Sequence, residues 1–261
     1  MEDVADYLEL AKDVSISAGK LLMSKYKKVK NIRHKAPGDV VTEADLEAEE
    51  LIVSSIRKKH PGHGFLAEEG GESQGKEDMT WIIDPLDGTN NYTYGLPIFG
   101  VSIALVKGKE PVLGVINVPV FGQLFHAVKG RGSFMNGKPI KVSGRDRLQD
   151  SMMLYDSDFV KSKTEILYSL DSITKRVNRI RMLGAASVQF VQIAMGNADA
   201  WTEQSTNPWD IAAGCLIVEE AGGKVTDFDG KPWNPWMKNL VASNGTRIHG
   251  EILELLKAGP R

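Results

Sequence analysis

The order of predicted elements changes character midway along the chain, and that change limits the folds open to it. Between residues 98 and 142, short apolar strands follow one another with only turns between them, and Asn136-Gly137 marks a tight hairpin. From residue 152 onward, strands alternate with helices. The pattern predicts strand 152–155, helix 163–177, strand 179–182, helix 185–195, strand 198–203, helix 209–221, strand 224–226 and helix 247–257. Consecutive strands pair antiparallel, whereas strands separated by helices cross over, so one regular doubly wound sheet cannot hold both. The expectation is a layered α/β protein with two sheets.

The first hundred residues supply the outer helices. A helical stripe from Val4 to Leu22 predicts a long helix ending near Lys28. After a turn-rich stretch, Lys35-Ala36-Pro37-Gly38-Asp39, a second helix begins near Thr42, where Thr42 and Asp45 resemble a capping box. Leu46, Ile52, Val53 and Ile56 form its expected buried face, and Pro61-Gly62 stops it. No repeat, low-complexity tract or flexible linker divides the 261 residues. One compact unit is expected, with residues 1–150 holding the larger sheet and 151–261 forming a second α/β half.

Composition excludes more than it selects. A net charge of −2 gives no reason to expect a nucleic-acid or anionic-membrane partner. The basic run Lys25, Lys27, Lys28, Lys30, Arg33 and Lys35 reads as a solvated helix end, with only Tyr26 interleaved. The single cysteine, Cys215, lies in an apolar run and reads as a buried structural thiol, so no intrachain disulfide forms. No apolar run is long enough to span a membrane, and Met1 to Asp6 do not resemble a secretory leader. A cytoplasmic setting is the expectation.

Chemistry concentrates at the ends of elements. The apolar strand Trp81-Ile82-Ile83 runs into Asp84-Pro85-Leu86-Asp87, then into Gly88-Thr89-Asn90, a pair suited to opening a helix. Two carboxylates at a strand end can hold a hard divalent cation, with the Leu86 carbonyl as a further ligand, and the N–H groups of the next turn can hold an anion. Oxygen ligands without His or Cys indicate Mg²⁺ or Mn²⁺ rather than zinc. Further acids end other elements: Asp45 near a helix start, Glu68 and Glu69 after strand 65–67, and Asp210 at the head of a helix. Each alone would be read as a helix cap or a solvated charge; their combination with Gly88-Thr89 favours a cation facing a phosphate.

Competing motifs fail. Gly130-Arg131-Gly132 lacks the next glycine of a dinucleotide loop. His60-Pro61-Gly62-His63 reads as a solvent-facing turn rather than a zinc site, and Asp227-Phe228-Asp229-Gly230 lacks the acid that closes a calcium loop, Lys238 standing in its place. Haloacid-dehalogenase-type phosphatases place one residue between their two aspartates. The two residues between Asp84 and Asp87 argue instead for direct attack by water.

The stretch from Trp81 to Tyr92, with Pro208-Trp209-Asp210-Ile211-Ala212-Ala213-Gly214 and Glu219-Glu220-Ala221-Gly222-Gly223, resembles the two signatures of the inositol monophosphatase family of Mg²⁺-dependent, lithium-sensitive sugar phosphatases. The resemblance runs from about Leu8 to Leu256. It implies a five-layer α-β-α-β-α sandwich assembled as a homodimer, with two to three Mg²⁺ ions per subunit. By the same resemblance, Glu68, Asp84 and the Leu86 carbonyl hold a first metal, Asp84, Asp87 and Asp210 a second, and Glu68 a third. Asp45 and Thr89 orient and deprotonate the attacking water, the Gly88 and Thr89 N–H groups cradle phosphate, and Asp87, Gly184, Ala185, Ala186, Glu203 and Asp210 approach the sugar. Lys35 aligns with a family lysine when one residue beside it is deleted.

The implied activity is hydrolysis of a phosphorylated polyol, myo-inositol monophosphate, by a metal-activated water. Glu203 favours that substrate, because a carboxylate accepts from sugar hydroxyls and repels a second phosphate. Fructose-1,6-bisphosphatase activity, alone or alongside, is the alternative, with Arg179 or Arg181 able to meet the extra charge. A phosphate sensor or a protein engaging RNA machinery is the alternative from another class.

Overall fold

Side chains alternate across a strand, so a strand buried on both faces feeds two cores at once. That arithmetic builds the molecule. The computed structural model describes residues 4–28, 32–36, 39–156 and 163–257. In chain order its elements are α1 (Val4–Lys25), β1 (Ile32–Ala36), β2 (Asp39–Thr42), α2 (Glu43–Lys59), β3 (Gly64–Ala67), β4 (Gly71–Ser73), β5 (Met79–Asp87) and α3 (Thr89–Thr93). Then follow β6 (Gly100–Lys107), β7 (Glu110–Val118), β8 (Gln123–Val128), β9 (Ser133–Met135), β10 (Lys138–Pro139), β11 (Met152–Tyr155), α4 (Lys163–Thr174) and β12 (Arg179–Arg181). The chain continues through α5 (Ala186–Ala194), β13 (Ala200–Glu203), α6 (Pro208–Glu220), β14 (Lys224–Thr226), β15 (Leu240–Ser243) and α7 (Ile248–Lys257).

The larger sheet has strand order β10-β9-β8-β7-β6-β5-β3-β4 and the smaller β12-β11-β13-β15-β14. On the larger sheet, Trp81, Ile83, Ile103 and Val115 pack under α1 and α2, against Leu10, Val14, Ile52 and Ile56. Their neighbours Ile82, Ala104, Ile116 and Phe125 face the other way, onto α5 and α6. Those two helices also receive Leu154, Trp201 and Ala242 from the smaller sheet. The far face of that sheet, through Met153, Tyr155, Ala200 and Val241, packs on Ile166 and Ile173 of α4 and Ile248 and Ile252 of α7. The layers therefore run α1/α2, large sheet, α5/α6, small sheet, α4/α7, the expected five-layer sandwich. The middle layer is tight: a Cβ at Gly214 of α6 would lie 2.1 Å from Phe190 Cδ2 of α5.

The Asn136-Gly137 hairpin forms as expected, with φ of 48° and 76° at its two central residues, the left-handed pair a two-residue turn needs. Differences lie in short pieces. β15 has no counterpart among the expected strands, yet it completes the small sheet between β13 and β14. The stretch 35–39, expected to be turn-rich, lies within the β1–β2 pair; Pro37 and Gly38, and Lys30 of the basic run, lie outside the described residues. Leu46 is 46% exposed, off the buried face of α2. The His60–His63 turn faces solvent only in part: Pro61 is exposed, but His63 is buried, accepts from Trp81 Nε1 at 3.0 Å and stacks on His60. Asp227 Oδ1 accepts from the Asp229 and Lys231 N–H groups, a plain turn as expected. Cys215 is buried. No helix among the described residues is long and apolar enough to cross a membrane.

Candidate active site

Two aspartates three apart on a regular strand point to opposite faces. Here they do not. Asp84 pairs with Ser102 of β6 and Asp87 with Gly100, so three steps on β5 oppose two on β6. The extra residue is accommodated where Pro85 has no N–H to give the ladder, and the Leu86 N–H turns to Asp84 Oδ1 at 3.0 Å. This bulge puts both aspartates on the face that Ile82 shares, toward α5 and α6. The chain then turns at Gly88, whose φ of 87° is left-handed and whose Cβ, if present, would lie 2.9 Å from the Ile98 carbonyl oxygen. Thr89 starts α3, and its hydroxyl lies 2.9 Å from both Asp45 Oδ1 and the Leu86 carbonyl oxygen.

The other acids arrive from neighbouring element ends. β3 runs parallel to β5, and Glu68 continues its ladder by donating its N–H to the Ile83 carbonyl at 3.1 Å. Asp45 is the third residue of α2, where Oδ2 accepts from the Thr42 N–H at 2.9 Å and hydroxyl at 2.5 Å. Asp210 is the third residue of α6, and its Oδ2 accepts from Asn207 N and Nδ2 at 2.8 and 3.1 Å. The capping reading of these two acids thus holds, and both also belong to the acid cluster.

Asp87 is received by the start of α5: Oδ1 accepts from Ala186 N at 3.0 Å, and Oδ2 from Ser187 N at 2.7 Å and from the Ser187 hydroxyl. Gly184 and Ala185 lead into that helix, and the Gly184 N–H donates to Asp156 Oδ2 at 2.8 Å. Glu203 ends β13, its Oε1 accepting from the Gln204 and Ser205 N–H groups at 2.8 and 3.2 Å. Lys35 reaches in from β1, with Nζ 3.0 Å from Glu68 Oε1 and 2.5 Å from Glu69 Oε1. Arg179 and Arg181 are exposed on the edge strand β12 and fold back onto the 178 and 180 carbonyls.

The cluster is only partly compensated, by Lys35 at Glu68 and Glu69. Burial, with the charges of Glu68, Asp87 and Asp210 and a hydrogen bond to Glu68, raises the Asp84 carboxyl well above its ordinary range. Burial pushes Asp87 up to about 6, against the Ser187 and Ala186 donors, and Asp210 up to about 7. Glu68 is raised by burial although Lys35 opposes it, and Asp45 is raised by burial. Burial takes Glu203 to about 8, with Asp156 and Asp210 adding repulsion.

All-oxygen donors carrying surplus negative charge suit a hard divalent cation chemically. As the side chains stand, however, no group of three His, Cys, Asp or Glu residues among those described could hold a metal ion. Asp84 and Glu68 share a hydrogen bond, and each carboxylate also leans on its own donor: Leu86 for Asp84, Ser187 for Asp87, Asn207 for Asp210, Lys35 for Glu68. Empty volume is a poor guide to this site. A cavity of 770 Å³ under Trp233 and Trp236 contains none of these acids.

Three positioning groups escaped the sequence reading. Glu49, one helical turn beyond Asp45, accepts from the Glu69 N–H at 2.9 Å and shapes the turn carrying Glu68; its spacing of four was a usable signal. Asn91 Nδ2 donates to the Leu183 carbonyl at 2.7 Å, tying α3 to the loop before α5. Ser187 had only its place at a helix start to mark it.

The fold recurs in known proteins. Residues 3–260 match the model of the inositol monophosphatase family. A Thermotoga maritima protein named fructose-1,6-bisphosphatase/inositol-1-monophosphatase is 40% identical over 254 residues, 96% of each chain. The inositol-1-monophosphatase of a Synechocystis species is 36% identical over 99% of this chain and 91% of its own. Among solved structures, a Thermotoga maritima IMPase matches with TM-score 0.90 at 39% identity, over 97% of each chain. The extragenic suppressor protein suhB of Bartonella henselae matches with TM-score 0.94 at 36% identity, over 98% of this chain and 100% of its own. The chain belongs to the inositol monophosphatase family.

Proposed function

We propose that the chain is a divalent-cation-dependent phosphomonoester hydrolase that releases phosphate from myo-inositol monophosphate. The observation carrying this reading is the bulge of β5, which turns Asp84 and Asp87 to one face among Glu68 and Asp210, all buried or raised by burial. Glu68, Asp84 and the Leu86 carbonyl would hold one cation, Asp84, Asp87 and Asp210 a second, and Glu68 a third, two to three Mg²⁺ per subunit with Mn²⁺ able to substitute. When bound, these ions supply the positive charge that makes water acidic near neutral pH and offsets charge on the phosphoryl and leaving oxygens.

The chain's own residues do the rest. The Thr89 hydroxyl has one proton for two acceptors, Asp45 Oδ1 and the Leu86 carbonyl. Giving it to Asp45 leaves the Thr89 oxygen to accept a proton from water and pass charge toward a buried carboxylate. Gly88 and Thr89 N–H groups would receive the phosphoryl oxygens, with Gly88 holding a left-handed turn where a Cβ would collide with the Ile98 carbonyl and Ala185. Glu203, with Asp210 and the Gly184–Ala186 segment, would face the polyol. In this division residues 1–150 provide the metal and phosphate side, and residues 151–261 provide Asp210 and the substrate side, within a single unit.

Exposed Tyr94, Leu96, Phe121 and Met182 support assembly as a homodimer, and the lone buried Cys215 is at ease in a reducing cytoplasm. The decisive experiment is a panel of kcat/KM values for inositol 1-phosphate, fructose 1,6-bisphosphate and 3′-phosphoadenosine 5′-phosphate, with and without Mg²⁺ and Li⁺. Inositol 1-phosphate should lead, with Mg²⁺ required and Li⁺ inhibiting. A preference for the bisphosphate would overturn the substrate assignment, and turnover without divalent cation would overturn the mechanism.

A further inference from the structure

Ser187 makes a bond that the start of a helix does not require. The N–H groups of Ala186 and Ser187 already seat the Asp87 carboxylate, one on each oxygen. The Ser187 hydroxyl adds a second donor to Oδ2, and the residue is only 1% exposed. Room for it comes from another element. Gly100 lies directly across the β5–β6 ladder from Asp87, and a Cβ there would stand 2.6 Å from Ser187 Oγ. The bare backbone at 100 and the hydroxyl at 187 are two halves of one arrangement.

A carboxylate offers about four lone-pair sites, two on each oxygen. With Ser187 N and Oγ both on Oδ2 and Ala186 N on Oδ1, three are taken and the remaining one is on Oδ1. We infer that Ser187 is a positioning residue for Asp87: its hydroxyl, seated over Gly100, saturates Oδ2 and locks the carboxylate so that it ligates a cation through Oδ1 alone. This rests on the proposal above that Asp87 is a cation ligand. Donors that orient a ligand in this way contribute to metal affinity without touching the metal.

The test is calorimetric titration of the cation-free protein with Mn²⁺, paired with thermal melting of the same samples. Ser187→Ala should weaken the Mn²⁺ complex by about tenfold while the melting temperature of the cation-free protein stays at the wild-type value. Ser187→Thr, which keeps the hydroxyl, should restore affinity. Gly100→Ala, which displaces the hydroxyl, should match Ser187→Ala, and the double variant should be no weaker than either single one. Wild-type affinity in Ser187→Ala, with Asp87→Asn losing Mn²⁺, would overturn the positioning role alone, as would a lowered melting temperature with unchanged affinity. Wild-type affinity in Asp87→Asn would instead overturn Asp87 as a ligand, and the inference with it.

Discussion

Asp84 and Asp199 are both buried aspartates, yet their surroundings are opposite. Asp199 stands just before β13, wholly buried, and collects donors: Arg145 Nε at 2.9 Å to both oxygens, Met152 N at 2.8 Å and the Ser143 hydroxyl. Asp84 has the Leu86 N–H and three carboxylates for company. The lesson is that burial of a charge does not mark a site. Burial without compensation does, because folding alone gives no reason to gather like charges in a low dielectric.

The largest way to break this contrast is Asp84→Asn. Turnover should fall by on the order of 10³-fold or more, while the melting temperature holds or rises as repulsion is relieved. Near-wild-type kcat at saturating Mg²⁺ would remove Asp84 from the chemistry. Asp199→Asn should do the reverse: a loss of about 2 kcal/mol in urea denaturation, discounted for the partly exposed Arg145, with kcat per folded molecule unchanged. If activity fell with stability intact, Asp199 would belong to the site after all.

Glu203 sharpens the contrast, since among the described residues the Gln204 and Ser205 N–H groups are its hydrogen-bond donors. Above about pH 8, where Glu203 is ionised, Glu203→Gln should raise kcat/KM for fructose 1,6-bisphosphate relative to inositol 1-phosphate by about tenfold, because the repulsion of a second phosphate is gone. The effect should shrink as pH falls below about 8. An unchanged ratio would show that specificity lies elsewhere.

The smallest effect concerns a compensated base. His249 is buried between the Thr226 and Ser243 hydroxyls at 2.9 and 2.8 Å, and burial, with Lys224 adding, lowers its pKa from 6.5 to about 4. The unfolded chain binds this proton more readily, so the contribution is whole above about pH 6.5 and is lost as pH falls toward 4. Urea midpoints between pH 7 and 4.5 should fall less steeply in His249→Asn than in wild type. Equal slopes would show that His249 is not the titrating group.

Much of the fold was legible because long elements repeat their period often enough to be counted. The middle strands, α5, α6 and α7 lie within two residues of expectation, and the change from consecutive to alternating strands foretold two sheets. The β1–β2 pair escaped because Arg33, His34 and Lys35 give β1 no apolar alternation, and β15 because its partners β13 and β14 are distant in sequence. In the site, Asp84 and Asp87 were visible from the apolar strand before them and Asp45 and Asp210 from their helix starts. Ser187 was not, because its meaning depends on Gly100, on a different strand.

Taken by itself, the sequence determined the kinds of chemistry available: oxygen ligands, a turn opening at Gly88-Thr89, one inert thiol, and an element order requiring two sheets. Local rules suffice for these, since caps, periods and turns are set by neighbours along the chain. Only the tertiary structure decided that Asp84 and Asp87 share a face, through one bulge, and that α5 rather than a cation-like side chain meets Asp87. It also decided which buried aspartate is left uncompensated. Those outcomes depend on register and on long-range packing, where a shift of a single residue reverses every side chain.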